Sequence, residues 1–329
     1  MKRAVNITAR KFLTNLMNDR KIAFVFPGQG SQSVRMGHSL SQSYPAAMET
    51  FQQADEILGI PLSHIAWEGP DECLNDTINT QPALFTHSIA VLQVIRSLNI
   101  DFAPDFVAGH SMGELSALVA AGSLTFSDGL RLVKIRGELM KRSGEISPGG
   151  MAAVLGLDIP KIEQLCLQAS TATEIVQVAN DNCPGQVVIS GSNSALDRVQ
   201  PMLEQAGAKR VIRLAVSIAA HSPYMSTSQD DFNNSIASAG IKNSYVPVIG
   251  NVTAKPLLDA DDIRNDLHNQ LTHRVRWTES INYLVSDGVS DFIEIGNGSV
   301  LCGLIKRIDR NVVAIPLGTP EDFLRLEKL

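Results

Sequence analysis

In the stretch FVAGHSMGELSAL, Ser111 stands between Gly109 and Gly113. G-x-S-x-G is the pattern of a nucleophile elbow, a sharp strand-to-helix turn that leaves a serine oxygen exposed. The glycines let the backbone turn without side-chain clashes. The apolar run before them and the Ala/Leu-rich run after them fit a strand and a helix. A helix beginning at Met112 aims unpaired N–H groups and its positive dipole end at the same spot. An oxyanion formed on Ser111 therefore finds a donor in the Met112 amide. The chemistry indicated is nucleophilic acyl transfer, against the plainer reading of a tight turn with a solvated hydroxyl.

A serine needs a base to become a nucleophile. Seven histidines are available: His38, His64, His87, His110, His221, His268 and His273. The residues alone do not choose among them. His110 sits inside the elbow and is expected to point elsewhere, whereas His221, in AVSIAAHSPYM, follows a strand among small residues that leave its ring room to reach a cleft. FPGQGSQ is a second constellation. It fails as a dinucleotide loop because Ser33 occupies the last glycine position, and no P-loop lysine follows. Its backbone N–H groups suit the second half of an oxyanion hole instead. Arg136, in LVKIRGELM, lies among Leu130, Leu132, Val133 and Leu139. Such an arginine either snorkels or pairs with a structural carboxylate, or it captures a substrate carboxylate with its planar fork.

The elements that position these residues alternate from Ile22 onward between β-like and helix-like segments, as in an α/β fold with a mostly parallel sheet. IAFVF and DFVAG read as strands, and QPALFTHSIAVLQVIRSL as a long helix with Pro82 near its start, where a missing N–H is harmless. From GGMAAVLGL to KRVIRLAV the order becomes β-α-β-β-α-β, a ferredoxin-like unit entered at Pro148, Gly149 and Gly150. The expected division is a large subdomain of residues 21–147 and 217–329, with a small subdomain of 148–216 inserted into it. Residues 1–20 are basic with the single acid Asp19. A transit-like segment or a start at Met17 would fit them, but a disordered tail without function is the expectation.

At 329 residues, with 44% hydrophobic and 19% charged residues, the composition is that of an ordinary globular protein. The net charge of −6 argues against nucleic-acid binding, and no apolar run is long enough to span a membrane. Four dispersed cysteines without C-x-x-C spacing indicate a reducing, cytoplasmic setting, with neither disulfide framework nor zinc site.

Taken together, FPGQGSQ, GHSMGELSAL, KIRGELM, NCPGQVVISG, AAHSPYM, QLTHRVRW and EIGNGSVLCGLIKRI closely resemble the malonyl-CoA:acyl-carrier-protein transacylases, a family that includes polyketide-synthase acyltransferases. The resemblance runs from Ile22 to about Arg310. It implies a hydrolase-like α/β subdomain interrupted by a ferredoxin-like one. It implies Ser111 as nucleophile, His221 as base, and Gln29 and Met112 as oxyanion donors through their backbone N–H groups. Arg136 would hold the malonyl carboxylate, and the Gln270 carbonyl would orient the histidine in place of a triad aspartate. Asn180 and Asn182 would face the substrate cleft. The implied reaction is ping-pong transfer of malonyl from malonyl-CoA to the phosphopantetheine thiol of an acyl carrier protein, without cofactor or metal, by a monomer serving fatty-acid synthesis.

The sequence departs from the family at Arg274, where proline is frequent, and at Asn297 and Ser299, where proline and lysine are common. Ala220, just before the base, is small where polyketide domains often carry bulk. Three rivals stand beside the transferase: a polyketide-synthase acyltransferase, a thioester hydrolase using Asp181 with His221, and a non-catalytic carrier-binding module. Lys306, Arg307 and Arg310, with Arg274 and Arg276, are the candidate basic patch for an acidic carrier.

Overall fold

β1 (Lys21–Phe26) is buried on both faces from Ile22 to Phe26, as befits a central strand of a parallel sheet covered by helices on each side. The structure, a computed structural model, describes residues 20–98 and 103–326. The stretch 1–20 expected as a tail thus lies, apart from Arg20, outside the described residues. β2 (Phe106–Gly109) follows, then β3 (Gly149–Leu155), β4 (Val176–Cys183), β5 (Gln186–Ser192), β6 (Arg210–Arg213), β7 (Val248–Ile249), β8 (Pro256–Leu257), β9 (Val289–Ile295) and β10 (Val313–Leu317).

Six strands form one sheet in the order β10-β9-β1-β2-β7-β8, parallel except for β8. Phe26 pairs with Gly109, so β1 and β2 end side by side. The loop after β1 and the turn after β2 therefore meet at the carboxyl edge of the sheet, where open α/β folds place their ligands.

The other four strands form a separate antiparallel sheet in the order β4-β5-β3-β6. With the helices Ile159–Ala169 and Asn193–Gln205 they realise the β-α-β-β-α-β pattern. Along β3, Ala152 and Val154 enter the core under these helices, whereas Met151 and Ala153 face the active-site cavity. This is the period-two alternation of a strand. The small sheet is tied to the rest by Asp181 N–H to Val275 O (2.9 Å) and Val275 N–H to Ala179 O (2.8 Å).

Pro82 lies elsewhere in its helix than the sequence suggests. The helix runs Thr77–Ser97 and begins five residues before the proline, because the Asp76 side chain caps it by accepting the Ile78 N–H. The second long helix, Phe126–Ile146, crosses it closely: a Cβ on Gly137 would sit 2.8 Å from Thr77 O. That approach puts Gln81 of the first helix beside Arg136 of the second.

Candidate active site

The elbow is built by close packing. A Cβ on Gly109 would lie 2.0 Å from Gly113 C, and one on Gly113 would lie 2.2 Å from Phe26 O, so neither position admits a larger residue. Ser111 between them has φ 52°, the left-handed region that costs a non-glycine residue strain. The helix Gly113–Ala120 starts directly after Met112. Among the described residues the N–H groups of Gln29 and Met112 donate to no protein acceptor, and both residues line the cavity. Two free donors beside a serine oxygen meet the requirement of an oxyanion site.

The Ser111 hydroxyl lies 2.8 Å from His221 Nε2. On the other side of the ring, Nδ1 faces two carbonyls, Gln270 O at 2.9 Å and His273 O at 3.1 Å. Carbonyls only accept, so Nδ1 carries the proton and Nε2 is the free base facing Ser111. Burial and the Arg136 cation push the His221 ring down to about 3, which keeps it neutral. His221 is itself left-handed, φ 56°, and Gln177 of β4 donates to its carbonyl at 3.0 Å.

Arg136 is 1% exposed. Its Nε donates to Gln270 Oε1 (2.9 Å), Nη1 to Gln81 Oε1 (2.9 Å) and Met140 Sδ (3.1 Å), and Nη2 to Ser111 Oγ (3.1 Å). Burial lowers its guanidinium to about 10, still far above neutrality. A charged, buried arginine whose hydrogen-bond partners among the described residues are all neutral is poised to receive an anion at the nucleophile.

The cavity, about 530 Å³, opens between the two sheets. Gln29, Ser111, Met112, Arg136, Ala220 and His221 line it from the large sheet's side, and Met151, Asn180, Asn182 and Val188 from the small one. Asn182 Oδ1 bonds His110 Nε2 at 2.8 Å, and the His110 ring packs edge-on against Trp277. The His110 side chain is thus directed to Asn182 and Trp277 rather than to Ser111, and His110 is among the residues lining the cavity.

Gln270 is fully buried behind the cavity wall, so its contacts are with Arg136 and His221 rather than with the space a substrate enters. The hydrolase reading through Asp181 fails on geometry. The Asp181 carboxylate accepts from Thr278 Oγ1 at 2.5 Å, and His221 Nδ1 is already taken by carbonyls. The candidate basic patch is partly neutralised: Arg274 bonds Glu163 (2.7 Å), and Arg276 bonds Glu279 through Nε and Nη2 (2.7 and 2.5 Å).

Sequence reasoning missed Gln81 and Asn251. Asn251 Oδ1 accepts the Ser111 N–H and its Nδ2 donates to Gly109 O, both at 2.7 Å, clamping the strained turn from outside. Neither residue belongs to a local pattern with a mechanism. Each acts across a long sequence separation.

Parallel sheet, strained elbow, neutral Ser–His pair and waiting arginine define the class of α/β acyltransferases that work through an acyl-serine. The acyl transferase domain family model matches residues 23–314. The malonyl CoA-acyl carrier protein transacylase of Bacillus subtilis is 45% identical over 92% of this chain and 94% of its own length. That of Haemophilus influenzae is 40% identical over 94% and 99%. The solved transacylase of Coxiella burnetii superposes with a TM-score of 0.90 at 41% identity, over 94% of this chain and 97% of that one. A malonyl-transacylase solved in complex with a type II PKS acyl-carrier protein gives 0.89 at 38% identity, over 94% and 99%. The chain belongs to the malonyl CoA-acyl carrier protein transacylase family.

Proposed function

We propose that the protein moves a malonyl group from malonyl-CoA to the phosphopantetheine thiol of an acyl carrier protein through a malonyl ester on Ser111. The observation that carries this reading is Arg136. It is a buried cation in contact with the nucleophile, and among the described residues no carboxylate oxygen bonds it. A malonyl thioester supplies the missing carboxylate at one end and the electrophile at the other. An acetyl thioester would leave the guanidinium unpaired.

In the first half-reaction Ser111 Oγ attacks the thioester carbonyl while its proton passes to His221 Nε2. The oxyanion accepts the Gln29 and Met112 N–H groups. On collapse the C–S bond breaks, and coenzyme A leaves as the thiol with the proton held by His221. In the second half-reaction the carrier's thiol gives its proton to His221 and its sulfur attacks the ester. The C–O bond to Ser111 breaks and the hydroxyl recovers its proton. Each step is an acyl substitution without change of oxidation state, so the reaction as written calls for no redox cofactor and no metal.

Asn180 and Asn182 face the reacting carbonyl from the small sheet. The division into 21–147 with 217–329 around an inserted 148–216 belongs to the same reading, with the substrate between the two parts. So do a monomeric state and a cytoplasmic location. Among the described residues no helix is long and apolar enough to cross a membrane. The test is incubation with malonyl-CoA, with and without carrier protein, following free coenzyme A, intact mass and acylated carrier. A malonyl adduct that disappears with Ser111→Ala and is discharged by carrier is expected. No adduct, or one that survives the substitution, overturns the reading. Because one structural neighbour is solved with a type II PKS carrier, the assay uses both a fatty-acid and a polyketide carrier.

A further inference from the structure

Behind the cavity wall lies a group that touches none of the space a substrate enters. Glu114, in the first turn of the helix after the elbow, is 1% exposed and does not line the cavity. Its Oε1 accepts the Asn251 N–H at 3.2 Å, and its Oε2 accepts the Gln270 side-chain amide at 2.5 Å. Each neighbour reaches a reacting group on its far side. The Asn251 side chain holds the Ser111 N–H and Gly109 O. Gln270 gives its carbonyl to His221 Nδ1 and its side-chain oxygen to Arg136 Nε, both at 2.9 Å.

We propose that Glu114 is a positioning residue that fixes the Ser111 turn, the His221 ring and the Arg136 guanidinium together, through Asn251 and Gln270, without touching substrate. The proposal rests on the malonyl-transfer reading above.

The chemistry of the group suits the task. Both of its oxygens accept, which a carboxyl does in either protonation state and an amide does with one oxygen only. Asp266 stands next to it and shares a side-chain hydrogen bond with it, while the Asp266 oxygens also accept the Val252 and Thr253 N–H groups and the Thr253 hydroxyl. Burial and this neighbouring acid push the Glu114 carboxyl well above the usual range. That upward shift disfavours a negative charge on Glu114, which lies close enough to act on Arg136 and, if charged, would compete with a substrate carboxylate. A network of this kind is stiff only when every member is satisfied.

The two branches make different predictions. In Glu114→Met neither acceptor oxygen remains, so Gln270 and Asn251 both lose their anchor and Arg136 loses its alignment. Serine acylation by malonyl-CoA is expected to fall roughly ten- to a hundredfold, and the malonyl-to-acetyl preference to fall with it. Asn251→Ala loosens only the serine turn and should slow both thioesters by the same factor. Acylation with each thioester is measured beside thermal unfolding, so rates refer to folded protein. An unchanged malonyl-to-acetyl ratio in folded Glu114→Met overturns the proposal. If that variant does not fold, Glu114→Asp keeps the carboxyl but withdraws both oxygens by one methylene from Asn251 and Gln270. A loss of preference there supports the proposal, and an unchanged preference overturns it. Failure of the functional reading itself shows earlier and separately, as unsubstituted protein that malonyl-CoA does not acylate.

Discussion

Arg136 donates to the Ser111 hydroxyl at 3.1 Å, and among the described residues no carboxylate oxygen bonds its guanidinium. The cation that selects the acyl group therefore also touches the atom that accepts it. Arg136→Ala should lower malonyl transfer by roughly two to three orders of magnitude, the scale of losing one partner of a buried ion pair. Acetyl transfer should be spared or raised. Competition between malonyl-CoA and acetyl-CoA measures the ratio, and an unchanged ratio would refute Arg136 as the carboxylate contact.

The same cation shapes the pH profile. With His221 held down to about 3, its neutral, basic form persists well below the ordinary histidine range near 6.5. Acylation kcat/KM should stay level as pH falls from 8 through 6.5, where an unperturbed histidine would already have lost half its activity. A malonyl carboxylate on Arg136 offsets the charge that depresses the ring. The acidic limb of kcat should therefore lie at higher pH than that of kcat/KM. Stopped-flow acylation across pH 5–8 checks the first statement, which a midpoint near 6.5 in kcat/KM contradicts, and extending it toward pH 3 locates the two limbs for the second.

Much of this site is legible in the sequence because its parts are local. The elbow needs glycines at fixed offsets, and Gly109 and Gly113 show why: each packs on backbone where a Cβ has no room. The β-α-β-β-α-β order is likewise written in short runs of alternating periodicity. Residues alone left Arg136 undecided, since an apolar helix face is equally the setting of a structural ion pair. Its surroundings come from Gln81, 55 positions away, and Gln270, 134 positions away. Asn251 meets Ser111 across 140 positions through a single side chain. Pro82 misled because proline favours a first turn, whereas the Asp76 cap starts the helix earlier.

His87 links the fold to acid stability. It is fully buried, its Nε2 bonds Gly318 O at 2.9 Å, and burial lowers it to about 4. Its folded value lies below the unfolded value near 6.5, so the unfolded chain takes up the proton first. The stability it contributes is complete above about 6.5 and declines as pH falls toward 4, by about 3 kcal/mol in all. Glu114, shifted upward, works in the opposite direction, so the comparison must be between variants. His87→Gln should flatten the loss of stability between pH 6.5 and 4.5, read by urea unfolding. An identical slope in both proteins would remove His87 from the account.

Of the cations considered for carrier docking, Arg307 is tied directly to a residue of the cavity lining. It donates to Gln186 Oε1 at 2.5 Å, and Gln186 lines the cavity. Lys306 bonds Val312 O, and Arg274 and Arg276 are held by acids. Arg307→Glu should raise KM for an acidic carrier and weaken the salt dependence of transfer, leaving acylation by malonyl-CoA intact. Equal losses in both half-reactions would mark Arg307 as structural.

Ala220 bears on tolerance for a branched acyl group. It lines the cavity directly before His221, whereas Ala219 backs onto β3, where a Cβ on Gly149 would meet it at 2.8 Å. Of the two alanines only Ala220 bounds the pocket, and its side chain leaves that wall low. One methyl group in an apolar pocket changes selectivity by about 1–3 kcal/mol, or roughly 10–200-fold. Malonyl-CoA should therefore be preferred with measurable methylmalonyl transfer, and Ala220→Phe should suppress that transfer by raising the wall. The check is competition between the two thioesters at equal concentration, reading the ratio of acylated carriers. Absence of methylmalonyl product from the unsubstituted enzyme, or the same ratio after Ala220→Phe, would show that another wall sets the pocket.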